Sequence, residues 1–200
     1  MLHYFEEKDG SLLFRENGES VMVTPWGANS FRVRAAFLGE IEEGSVALSA
    51  PQDPAQEGSI SIEEQRASIT NGKIRAELTV NPWGKALQMT FYDEKGKVLL
   101  QEIPNGGALQ KKARRFRPLA GGGYHLKASF VSDPEEKIYG MGQYQQETFD
   151  LKGCNLELAH RNSQASVPFY ISSLGYGFLW HNAAIGEVHF GSKTTEWIAV

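Results

Sequence analysis

A single cysteine, Cys154, stands among 200 residues. No internal disulfide can form, and a thiolate zinc site lacks its ligands. A lone thiol needs a neighbouring base to act as a nucleophile, so Cys154 reads as a small residue packed beside a turn. Helical periodicity is also missing. Nowhere do apolar residues hold a three-to-four spacing over the roughly ten to twelve residues of a stable helix. Excess positive charge is absent too: 20 Lys and Arg against 24 Asp and Glu give a formal net charge of -4. That balance provides no general attraction for phosphate backbones or anionic lipid, so neither nucleic acid nor a membrane is an expected partner. The opening stretch MLHYFEEKDG reaches acidic side chains at its sixth residue. It holds no apolar run of signal-peptide length, and the location predicted from this is cytoplasmic.

What is present suits a folded β protein. Hydrophobic residues make up 41% and charged residues 22%, close to ordinary soluble domains. The length fits one sizeable core, so residues 1–200 are read as a single module. Apolar side chains recur at spacing two, as in Val21, Val23 and Pro25, then Phe31, Val33 and Ala35, which turns one face of each strand inward. In ASITNGKIRAELTV, residues 67–80, Asn71-Gly72 separates two alternating runs and marks a hairpin. A second hairpin is predicted over 86–101, with its turn at 93–96. Residues 40–43 and 51–57 read as exposed loop, and 104–123 as a crossover between sheets. Short apolar or aromatic stretches at 137–142, 155–160, 167–173, 176–181 and 185–190 predict further strands. The expected fold class is all-β, a two-sheet antiparallel β-sandwich.

Candidates for chemistry are few. A glycosidase needs two carboxyl groups facing one another across a bond, yet Glu40, Glu42, Glu43, Glu63-Glu64 and Glu135-Glu136 all sit in polar text that predicts solvated carboxylates. His181, Glu187 and His189 could converge as an acid-base pair, but no third ligand has a metal-binding spacing; hydrogen-bonded histidines on a half-exposed strand are the plainer reading. The basic run at 111–117 reads as a solvated edge that discourages sheet-to-sheet pairing. Tyr139-Gly140-Met141-Gly142 lacks the third glycine and following helix of a phosphate loop. Its glycines are expected to turn the chain sharply out of a strand, delivering Gln143, Tyr144, Gln145 and Gln146 into a long loop. Amides that donate and accept, next to a ring that can stack on a pyranose, suit neutral sugars. Neither metal nor cofactor is expected, and no catalytic residue is assigned.

The C-terminal third is more specific. KIYGMGQYQQ at 137–146, Lys152-Gly153, Leu156, Leu158, Asn162 and VPFYISSLGYGFLWHN at 167–182 follow one another in an order and spacing that resembles the N-terminal module of glycoside hydrolase family 31. Val23-Thr24-Pro25-Trp26-Gly27 and Phe31-Arg32-Val33-Arg34 are similar to that module's opening strands. Gln143 after the Y-G-x-G turn is similar to the α-xylosidase-like and α-glucosyltransferase-like members. The resemblance implies a galactose-mutarotase-like sandwich that packs on a following catalytic β/α barrel of the same chain. The two catalytic aspartates belong to barrel segments that these residues do not contain. It further implies a retaining α-glycosidase of α-xylosidase or α-glucosidase type, with an α-linked xyloside or glucoside as the carbohydrate partner. Gln143, Gln145, Gln146 and Asn162 are then the substrate-binding candidates. His160, where the subgroup often carries Gln, is a departure. The alternatives are an independent carbohydrate-binding module with a platform among Trp26, Trp83, Tyr144 or Trp180, and a mutarotase-like sugar epimerase. Self-association into a homo-oligomer stays open.

Overall fold

Two short turns shape the start of the chain. Strands β1 (Phe5–Lys8), β2 (Ser11–Glu16) and β3 (Glu19–Pro25) are joined by Asp9-Gly10 and Asn17-Gly18. Both central residues of each turn have positive φ, 49° and 69° in the first and 51° and 79° in the second, matching the right-handed twist of the strands they connect. Strand β4 (Phe31–Phe37) completes a four-stranded antiparallel sheet in the order β1-β2-β3-β4. The computed structural model describes residues 4–42, 48–49, 58–81, 83–106 and 111–200. The expectations placed on 51–57, Glu43 and the first three residues lie outside those.

A second antiparallel sheet follows, β5 (Ile60–Ile62), β6 (Arg66–Asn71), β7 (Ile74–Val80), β8 (Leu87–Asp93) and β9 (Val98–Gln101), in sequential order. Both predicted hairpins are present, with one shift. The first turns on Gly72-Lys73, not Asn71-Gly72: Asn71 pairs with Ile74 inside the ladder, and only Gly72 has a positive φ, 57°. Asn71 is instead fully buried, and its Nδ2 donates to the Gly27 and Ser30 carbonyl oxygens at 2.9 and 2.7 Å. Its amide thus satisfies the β3–β4 connection, a use that a propensity argument does not register. Leu12, Phe14, Val21 and Val23 of the first sheet meet Ala67, Ile69, Leu78, Leu87 and Met89 of the second in one buried cluster. Each large side chain so buried contributes about 1.5–3 kcal/mol. On β4 the alternation is less effective than its sequence predicts: Val33 and Ala35 are exposed on this edge strand, and Phe31 alone of the three packs on the cluster.

The chain divides into two compact units, Met1–Lys112 and Ala113–Val200. The second holds a five-stranded sheet in the order β10-β11-β17-β16-β13 and a three-stranded sheet in the order β12-β14-β15. Their strands are β10 (Arg114–Pro118), β11 (Tyr124–Val131), β12 (Ile138–Gln143), β13 (Asn155–Leu158), β14 (Ala165–Ser172), β15 (Tyr176–Leu179), β16 (Gly186–Phe190) and β17 (Thr194–Ala199). The basic run forms edge strand β10, on which Arg115 and Arg117 are exposed while Arg114 is buried. Trp197 of β17, fully buried, forms the centre of the second core. Tyr170 and Phe178 of the facing sheet lie 6.2 and 5.2 Å from its ring centroid, with Phe190 at 6.0 Å and Trp180 at 5.5 Å. No helix occurs among the described residues. Among the described residues every strand pairing is antiparallel and the strands form four hydrogen-bonded sheets, two in each unit, so the all-β sandwich reading holds.

Candidate functional site

The Tyr139-Gly140-Met141-Gly142 segment does not leave its strand. It is a β-bulge within β12, where the register against β14 slips between Gly140 and Gly142. Gly140, Met141 and Gly142 all have positive φ, 119°, 69° and 94°, and Met141 is driven fully into the core. A Cβ at Gly142 would lie 2.3 Å from the Ala165 carbonyl oxygen and 2.8 Å from the Val167 nitrogen. Only glycine lets the two backbones approach this closely. The expected exit therefore comes later, after Gln143, which still pairs with Ala165.

The loop that follows ends at β13, the strand expected over 155–160, which pairs with β16. Gln145 and Gln146 are exposed in its first part, and Gln143 is exposed at the strand end. Asn162 is exposed in the turn between Arg161 and Gln164, whose backbones bond reciprocally at 3.0 and 3.2 Å. The Tyr144 hydroxyl lies 2.7 Å from Ser166 Oγ and 2.9 Å from the Glu157 carbonyl oxygen, and burial raises its pKa above the ordinary tyrosine range. The loop start and the Asn162 turn thus share one end of the β12–β14 pair. His160 Nδ1 accepts from the Ser166 backbone N–H at 3.3 Å. Arg161 forks onto Glu157 at 2.6 and 3.0 Å, and this pairing holds the Glu157 carboxyl below its usual range.

Sequence reasoning missed how the other end of that loop is held. Glu136, expected to be a solvated carboxylate, is 5% exposed. Its Oε1 accepts from Ser172 Oγ at 2.5 Å and the Tyr176 hydroxyl at 2.8 Å, while Oε2 lies 3.3 Å from Lys152 Nζ. The ammonium also donates to Ser132 Oγ at 2.7 Å. Burial pushes the Tyr170 and Tyr176 hydroxyls well above their ordinary range, and their mutual contact at 3.1 Å extends the network. Alongside it, Asp150 Oδ1 accepts from the Ile138 and Lys152 backbone N–H groups at 3.0 and 3.1 Å. Burial opposes the Asp150 charge, but these bonds and the neighbouring Lys137 and Lys152 bring its pKa below the usual value. The Lys-Gly step of the family pattern is therefore a clamp on the loop base.

The two outer faces of this unit differ sharply. On the five-stranded sheet, Lys127 pairs with Glu196 at 2.5 Å and His189 Nε2 with Glu187 Oε2 at 2.9 Å; the histidine is hydrogen-bonded on a partly exposed strand. On the three-stranded sheet the central strand presents Val167, Phe169 and Ile171, with Leu179 beside them, at 52, 41, 55 and 43% exposure. Tyr139 lies across from Ile171, and Phe149, 84% exposed, packs on the Tyr139 ring at 5.0 Å. Among the described residues, no group of three or more His, Cys, Asp or Glu is placed to hold a metal ion.

Fold and pattern together place the chain among galactose-mutarotase-like β-sandwiches. A family model for the glycosyl hydrolase 31 N-terminal galactose mutarotase-like domain matches residues 20–188, and the chain belongs to that family. An uncharacterized family 31 glucosidase, ORF2, of Pseudescherichia vulneris is 40% identical over 208 residues, covering 96% of this chain and 38% of the relative. Alpha-xylosidase A of Aspergillus niger is 26% identical, covering 98% of this chain and 28% of its own length. Among solved structures, a GH31 alpha-xylosidase from a soil metagenome complexed with xylose superposes with a TM-score of 0.88 at 41% identity. The match covers 97% of this chain and 30% of that one. The chain therefore spans well under half the length of these larger glycoside hydrolases.

Proposed function

We propose that residues 1–200 act as one noncatalytic module of a retaining α-glycosidase of α-xylosidase or α-glucosidase type, packing on a catalytic barrel and lending a loop to its substrate pocket. The observation that carries this reading is the apolar outer face of β14 and β15. Monomeric surfaces rarely keep a contiguous patch of Val, Phe, Ile and Leu in water, and the other sheet of the same unit has a charged outer face. The Val167, Phe169, Ile171 and Leu179 face suits the barrel, while Gln143, Gln145, Gln146 and Asn162 project from the end of that same sheet. Uncharged amides in a loop clamped at its base can orient an α-linked xyloside or glucoside without taking part in the chemistry. The xylosidase and glucosidase relatives, each much longer than this chain, support the substrate class.

The test has two parts. Alone, the 200-residue chain should not turn over aryl α-xylosides or α-glucosides, and turnover would overturn the noncatalytic assignment. Joined to the remaining segment of the Pseudescherichia vulneris relative, it should give an active chimera. In that chimera Gln145→Ala with Gln146→Ala should raise KM several-fold with kcat little changed. Ile171→Asp should abolish activity while the isolated chain keeps its Tm. An unchanged KM in the first variant, or full activity in the second, would exclude the proposed contacts.

A further inference from the structure

The structure narrows the aromatic platform to one residue. Trp26 is half-buried under the Arg32 guanidinium, 5.3 Å from its ring centroid. Trp180 stacks on Trp197, and Tyr144 is half-buried with its hydroxyl engaged. Trp83 is 93% exposed. It stands in the connection between β7 and β8, where leaving an indole in water gains nothing for folding.

Asn81 ties the described residues of that connection together. Asn81 Oδ1 accepts from the Trp83 backbone N–H at 2.9 Å, and the Asn81 carbonyl accepts from Lys85 N–H at 2.6 Å. Asn81 N–H donates to the Ala86 carbonyl at 3.1 Å, closing the loop. Beside the indole lies an open groove of about 370 Å³, lined by Thr79, Val80, Asn81, Trp83, Gln88 and Asn105, within the size range of small-molecule sites. The amides are fixed from behind. Asn81 Nδ2 donates to the Asn105 carbonyl at 3.2 Å, Asn105 Nδ2 to the Leu87 carbonyl at 2.6 Å, and Gln88 Nε2 to the Glu102 carbonyl at 2.8 Å. A primary amide offers two donor and two acceptor positions, so the Gln88 and Asn81 side chains can bond a ligand while held in this way.

We infer that the Trp83 groove is a binding site for a neutral oligosaccharide, distinct in its residues from the loop proposed to reach a catalytic pocket. Among the described residues the six that line the groove carry no charge, which favours a neutral ligand over a phosphate or carboxylate. The apolar face of a pyranose stacks on an exposed indole, and ring hydroxyls pair with pre-ordered amides and a threonine hydroxyl. A protein partner would want a broader apolar surround than a lone indole ringed by amides. The site would hold a polymeric substrate on the module while its end is processed elsewhere.

The experiment is titration of the 200-residue chain with maltotriose and, separately, a xylose-bearing xyloglucan heptasaccharide, read by tryptophan fluorescence and calorimetry. Saturable binding of at least one, at a Kd on the order of 1 mM, is expected for an open site of this size. Trp83→Ala should weaken it about tenfold or more, and Gln88→Ala by a smaller factor, with Tm unchanged in both. Gln145→Ala with Gln146→Ala should leave it intact. Absence of saturation with either sugar to about 50 mM, equal affinity in Trp83→Ala, or loss of binding only in the Gln145 and Gln146 variant would each overturn the assignment.

Discussion

Replacing Lys152 by alanine tests the clamp directly. The Lys152 and Glu136 side chains are 12% and 5% exposed, and their charged atoms lie 3.3 Å apart. Removing the ammonium leaves a buried carboxylate with the Ser172 and Tyr176 hydroxyls as donors but no counter-charge. Breaking such a pair from one side costs about 3–5 kcal/mol. The two remaining hydroxyls and the slight exposure of Lys152 place the expected loss near the lower bound, about 3 kcal/mol. For a chain of this size that lowers Tm by about 6–12 °C. Urea unfolding followed by tryptophan fluorescence reads it, because Trp180 and Trp197 lie in the same unit as the pair. Glu136→Gln with Lys152→Met keeps an oxygen acceptor for both hydroxyls and removes both charges, so it should recover most of the loss. A cost below about 1 kcal/mol for Lys152→Ala, or a double variant no more stable than the single one, would refute the reasoning.

Gly142→Ala should destabilise the chain by more than 2 kcal/mol on the order-of-magnitude costs of a strained φ, since its Cβ would meet two fixed backbone atoms; denaturant unfolding checks this, and near-neutral behaviour would exclude the bulge. Asp150 gives a pH signature. Its folded pKa lies below the ordinary aspartate value, so its stabilisation is complete above the ordinary carboxylate range and is lost as pH falls through the depressed folded value. Asp150→Asn should therefore be less stable than the parent near neutrality and show a flatter decline in Tm on acidification. Parallel Tm curves would count against the Asp150 hydrogen bonds.

Much of the fold was legible because period two and turn chemistry act locally. The stretches read at 137–142, 155–160, 167–173, 176–181 and 185–190 correspond to β12, β13, β14, β15 and β16. Asp9-Gly10 and Asn17-Gly18 carry an equally strong local hairpin signal. The one-residue shift at Asn71 was not legible, because the side chain is recruited by the Gly27 and Ser30 carbonyls more than forty positions away. The same holds at Glu136, where Glu135-Glu136 looks solvated until Lys152, Ser172 and Tyr176 are brought to it. No sequence window contains that set. In the candidate loop, residue types indicated amide chemistry and the strand at 155 marked its end, but the bulge decided where the loop starts.

The sequence by itself determined the all-β class and the family, because alternation and ordered short motifs are properties of the chain. It also excluded a disulfide framework by cysteine count. Tertiary structure decided which charges are buried, which sheet face stays apolar and which of four candidate aromatics stands free in water. Those depend on what the fold places within a few ångströms of each side chain, and residues brought together from distant strands leave no trace in local spacing.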